Sequence, residues 1–101
     1  MESGGNTIFT ELVQIFRTQI STLLDDLQRG LRELEAERLA RAAHTIAGSG
    51  GSIGFAAVQK CAAAIEEKAR EGRLLGIPAD VDLLKDLITA SFEAIPTLGL
   101  E

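Results

Sequence analysis

The sequence predicts an all-α protein folded as an antiparallel up-and-down four-helix bundle. Three observations carry that expectation. Apolar residues recur at three- and four-residue spacing in successive stretches, no segment alternates with a period of two, and the stretches are joined by short connections.

The first stretch carries Ile8, Leu12, Phe16, Ile20, Leu23, Leu27 and Leu31 on one face, after a lead over residues 1–6 that reads as disordered. A break near Arg17 and Thr18 would set off a short N-terminal helix, and Gly30 interrupts the far end. A second pattern opens around Glu35 and continues through Leu39, Ala42, Ala43, Ile46, Gly50 and Ile53. A third runs through Val58, Cys61, Ala62, Ile65 and Ala69 and closes at Gly72, a usual helix stop. "RLLGIPAD" reads as a loop. The last helix is expected from a cap at Asp80, turning Val81, Leu84, Leu87, Ile88, Phe92 and Ile95 inward until Pro96 forbids continuation. The bundle domain thus spans residues 7–96, with a tail over 97–101.

With 101 residues, the chain suits one domain with a single core and is too short for a nucleotide-binding domain beside a substrate domain. A net charge of −5 and the absence of Trp and Tyr argue against a nucleic-acid partner, since phosphate binding needs a basic face. No stretch approaches the roughly 20 apolar residues of a membrane span, and the N-terminus lacks a basic start followed by an apolar segment. A cytoplasmic location is the default. Cys61 is the only cysteine, so neither an internal disulfide nor a cysteine metal cluster forms, and a small buried residue would serve there equally well.

The stretch "AAHTIAGSGGSIGF", residues 42–55, holds the one histidine, His44, and glycines at 48, 50, 51 and 54. At about 100° per residue with Leu39 at zero, Ala43, Ile46, Gly50 and Ile53 fall within roughly 40° of the core direction, while His44 lies near 140°. His44 is therefore expected to face solvent. Helical side chains lean toward the N-terminus, so residue 48 is the one whose side chain would cover the imidazole, and Gly48 has none. Gly51 falls on the same side. Each interior Gly costs roughly 1 kcal/mol relative to Ala, and such a local penalty collects at functional sites; alternatively, "GSGGSIG" is simply the loop that ends the helix.

On the third helix, Gln59, Glu66 and Arg70 flank the core face. If that flank lies against His44, Glu66 can accept a hydrogen bond from the ring N–H and fix the tautomer, and Arg70 can meet a phosphoryl group. The plainer alternative is a surface pair of Glu66 with Arg70, worth a few tenths of a kcal/mol.

Together these residues resemble the histidine-containing phosphotransfer (HPt) domains of two-component phosphorelays, and the similar phosphoacceptor domain of chemotaxis histidine kinases. "AHTIAGSGGSIG" and "CAAAIEEKAR" follow the family pattern in order and spacing, and the likeness extends more loosely from about Phe9 to Phe92. The resemblance implies that His44 is the phosphorylated residue, that Gly48 admits the partner, and that Glu66 and Arg70 support the ring. One departure stands out: the lysine usual three residues after the histidine is Ala47 here, leaving Arg41, Arg70 and Arg38 to compensate charge.

The resemblance further implies a phosphoryl carrier without kinase or ATP-binding machinery, relaying between His44 and an aspartate of a response-regulator receiver domain or hybrid histidine kinase. No cofactor is expected on this chain, and the receiver should bring Mg²⁺ in its own acidic pocket. Arg38, Arg41 and Gly51 form the expected docking rim, and the chain is expected to be a monomer. A kinase dimerisation domain would have an acidic residue directly after the histidine and a proline beyond it, and "HTIAGS" has neither. A purely structural helical module, from a different class, would leave His44 and the glycines without a role. No His, Cys or Ser arrangement suits hydrolysis or metal binding.

Overall fold

A computed structural model describes residues 4–95, with side chains from residue 8 onward. Four helices follow one another: α1 (Gly4–Arg32), α2 (Ala36–Ser52), α3 (Ala56–Arg70) and α4 (Ile77–Glu93), with no strand among the described residues. The short turns between them force antiparallel neighbours. α2 and α3 form the closest pair, α1 packs on α2, α4 packs on α3, and α1 and α4 meet only marginally.

The predicted stripes account for most of the core. Phe16, Leu27, Leu39, Ala43, Ile46, Val58, Ala62, Ile65, Val81 and Leu84 are buried, as is Val13, which the first stripe omitted. At one end Phe55 stands edge-on to both Phe16 and Phe92, with centroids 5.9 and 5.3 Å apart, closing the gap that α1 and α4 leave between them. The Arg17 guanidinium lies 4.3 Å over the Phe92 ring.

Several expectations change. α1 is continuous through Arg17 and Thr18, where the Thr18 hydroxyl donates to the Gln14 carbonyl at 2.9 Å, so no separate N-terminal helix forms. It also takes in residues 4–6, which the sequence reading placed in the lead; residues 1–3 and the tail over 97–101 lie outside the described residues. α1 has 29 residues against 17 in α2, and at about 1.5 Å per residue it overshoots the bundle. Ile8 and Leu12, assigned to the inward stripe, are consequently exposed, together with Phe9, while Ile15, between the buried Val13 and Phe16, is exposed on the outward face of α1.

Gly30 lies inside α1 rather than interrupting it. A Cβ there would stand 3.1 Å from the Leu39 backbone nitrogen, so the glycine permits the close approach of α1 to α2 at their turn. α4 begins at Ile77, three residues before the expected cap. Gly76 at φ +92 turns the chain and Pro78 occupies the first turn, where its missing N–H costs nothing. Asp80 instead sits one turn inside, where its carboxylate takes a hydrogen bond from Lys68 Nζ on α3 at 2.6 Å. α4 ends at Glu93, and Pro96 lies outside the described residues.

The first three helices stop by the same device. At each end an N–H reaches back five residues, Glu35 to Gly30, Phe55 to Gly50 and Arg73 to Lys68, and the preceding residue takes a positive φ. This is the Schellman arrangement. Gly54 and Gly72 fill the left-handed position in two of the turns, whereas Leu34, at φ +56, fills the first.

Candidate functional site

α2 runs unbroken through the glycine-rich stretch as far as Ser52 and turns at Gly54. The helix reading of residues 48–52 therefore stands, and the loop alternative does not. Antiparallel packing sets its flank beside that of α3 in a regular register: His44 faces Glu66, and two turns along α2, Gly51 faces Gln59. Tight spacing follows from Gly50, whose Cβ would meet the Val58 side chain at 3.0 Å.

His44 projects outward with 70% of its side chain exposed, while Glu66 is only 19% exposed. The ring Nδ1 lies 3.1 Å from Glu66 Oε2 and 3.2 Å from Oε1. An ionised carboxylate only accepts, so Nδ1 carries the proton and donates it, which leaves the lone pair on Nε2. Arg70 Nε and Nη2 donate to the same Oε2 at 3.0 and 2.9 Å, holding the carboxylate from its other side. Burial pushes the Glu66 carboxyl up, but hydrogen bonds from Arg70 and His44, with the positive charge of Arg70, outweigh it and hold the group below its ordinary value. Glu66 therefore stays ionised and keeps the ring in one tautomer.

Gly48 is open: a Cβ built there meets nothing within 4 Å among the described residues. Gly51 is not, because the Gln59 amide sits 2.7 Å from where its Cβ would be. Gly51 thus lies beneath the amide end of the exposed Gln59 side chain, whereas Gly48 is bare. Gln59 was legible as part of the α3 flank, but its cover over Gly51 follows only from the register.

Of the arginines, Arg41 is on the His44 side, 67% exposed and 3.6 Å from Glu37. Arg38 points to the other flank. It donates to Glu35 at 2.7 Å and reaches Asp26 on α1 at 3.6 Å, tying α1 to α2 and standing apart from the expected docking rim. A shallow open groove lined by Ala36, Glu37, Ala40, Ala69 and Arg70 lies one turn further along from His44. The Thr45 and Ser52 hydroxyls donate to the Arg41 and Gly48 carbonyls, at 3.1 and 3.0 Å.

Among the described residues no three His, Cys, Asp or Glu side chains gather where a metal ion could be held, and no helix is long and apolar enough to cross a membrane. Cys61 faces α4, its Sγ 3.6 Å from the Asp80 carbonyl, and burial raises its pKa, so the thiol stays protonated.

The helical bundle thus holds one oriented imidazole outward, beside a bare stretch of backbone. The family model of the Hpt domain matches residues 11–94, and the chain belongs to the Hpt domain family. Membership makes it a phosphotransfer domain of two-component signalling. No curated protein and no solved structure matches the chain.

Proposed function

We propose that the chain relays a phosphoryl group between an aspartate of a receiver domain and His44. One observation carries the assignment of His44: its Nδ1 is committed to Glu66 at 3.1 Å while the ring is 70% exposed, so Nε2 is both nucleophilic and reachable. In the forward step the Nε2 lone pair forms the N–P bond as the P–O bond of the aspartyl phosphate breaks. The bonding electrons leave with the aspartate carboxylate. The ring, still protonated at Nδ1, gains positive charge, which the Glu66 carboxylate stabilises; transfer back reverses each change.

Phosphoryl transfer needs in-line approach and charge neutralisation more than covalent chemistry from the carrier. Gly48 supports the first requirement, because a receiver must bring its aspartate against the ring without meeting a side chain. Arg70 acts by holding Glu66 in place. In this reading the receiver supplies Mg²⁺ together with its acidic pocket, the chain has no kinase activity of its own, and the relay operates in the cytoplasm.

The test is incubation with a phosphorylated receiver and Mg²⁺. Acid-labile, base-stable label is expected on the wild-type chain and absent from the His44→Gln variant. Label persisting on that variant, or never reaching the wild type, overturns the assignment.

A further inference from the structure

Ala47 leaves α2 without a cation on the turn after His44, while Arg41 stands on the turn before it. We infer that Arg41 leaves Glu37 and binds the phosphoryl group on His44 Nε2. The inference rests on the relay reading and deepens it.

The arginines differ in what already holds them. Arg38 is on the wrong flank and doubly engaged by Glu35 and Asp26. Arg70 gives both Nε and Nη2 to Glu66 Oε2, and moving it would strip the carboxylate that fixes the ring. Among the described residues Arg41 pairs with an exposed partner, Glu37, at 3.6 Å, with side chains 67% and 76% accessible. Exposed pairs of that length contribute little, so a dianionic phosphoryl group outcompetes the carboxylate.

Position agrees with availability. Arg41 precedes His44 by three residues, and side chains so spaced are neighbours on a helix surface. His44 leans toward the N-terminus of α2, over the turn that carries Arg41. Nearby hydroxyls offer no substitute, since Thr45 and Ser52 spend their protons on backbone carbonyls. The family's lysine approaches from the turn after the histidine; here the charge comes from the turn before.

The step itself is the transfer described above, with the aspartyl phosphate of the receiver as donor. Arg41 takes no part in the bonds made and broken. It offsets the charge of the group in flight and of the phosphohistidine that results.

Two phosphoryl donors separate this inference from the relay reading. His44 is labelled by a phosphorylated receiver with Mg²⁺, and separately by phosphoramidate, a small-molecule donor that needs no docking. In Arg41→Gln, transfer from the receiver should slow about tenfold with the label still on His44. After phosphoramidate labelling, the ³¹P titration of the phosphohistidine should move to higher pH, because the dianion has lost a cation. Adding Ala47→Lys to Arg41→Gln should restore both, a rescue that a merely structural role would not show. Wild-type rate and titration in Arg41→Gln overturn the assignment of Arg41. Label from phosphoramidate but none from any receiver overturns the relay while leaving the ³¹P readout to decide Arg41; no label from either donor overturns both.

Discussion

The Nδ1 of His44 and Oε2 of Glu66 lie 3.1 Å apart across the α2–α3 interface, one largely exposed and the other largely covered. This hydrogen bond decides which ring nitrogen is free. Glu66→Ala releases the ring to both tautomers, and transfer to His44 should fall roughly 10- to 100-fold, the scale on which loss of an orienting partner acts. Glu66→Gln keeps an acceptor for Nδ1–H and should lie between. Ring ¹⁵N shifts check the cause: one tautomer in the wild type, a mixture in Glu66→Ala.

The same carboxylate ties stability to pH. Its folded pKa is lowered from 4.5, so the stability it contributes is fully present above that value and is lost as pH falls through the lowered one. In a His44→Gln background, where no imidazole titrates beside the carboxylate, the difference in Tm between Glu66 and Glu66→Gln should stay constant from neutral pH down to about pH 5. Below that it should shrink. A difference that grows on acidification would contradict the assignment.

Gly48 and Gly30 should respond oppositely to the same substitution. Gly48→Ala fills open space in a helix and should stabilise by about 1 kcal/mol, whereas Gly48→Gln should keep part of that gain and block transfer by covering the ring. Gly30→Ala places a Cβ at 3.0 Å from the Leu39 side chain and 3.1 Å from its backbone nitrogen. The backbone cannot give way cheaply, so a loss of about 1–3 kcal/mol is expected. Thermal unfolding of the variants, with transfer assayed alongside, reads both effects.

Leu34→Gly should stabilise the protein without touching transfer. Leu34 holds a left-handed conformation at φ +56 in the same helix stop that Gly54 and Gly72 complete elsewhere. For an L-residue that conformation costs roughly 1–2 kcal/mol, and the side chain is exposed and packs against little. After the greater unfolded-state freedom of Gly is set against it, a gain of about 1 kcal/mol, or roughly 4–8 °C in Tm, is expected.

The helices and their inner faces were legible because burial imposes a 3.6-residue period, as in Leu39, Ala43, Ile46 and Gly50. The exposure of His44 and the bareness around Gly48 came from the same wheel. Ends were less legible: α4 starts at Ile77 because a left-handed Gly76 and Pro78 build the turn, while Asp80, an apparent cap, is drawn to Lys68. Exposure of Ile8 and Leu12 could not be read from α1 alone, since it depends on where the other three helices stop.

By itself the sequence determined an all-helical chain with one outward histidine on a face cleared of side chains, because these follow from residue type and spacing within a single helix. Tertiary structure decided which neighbours those residues meet. Glu66 faces His44, Gln59 covers Gly51, and Arg38 turns to Asp26 on α1. The periodicity of one helix fixes the direction of a side chain, but the partner in that direction is set by the register between helices, and that comes from packing at positions such as Gly50 against Val58.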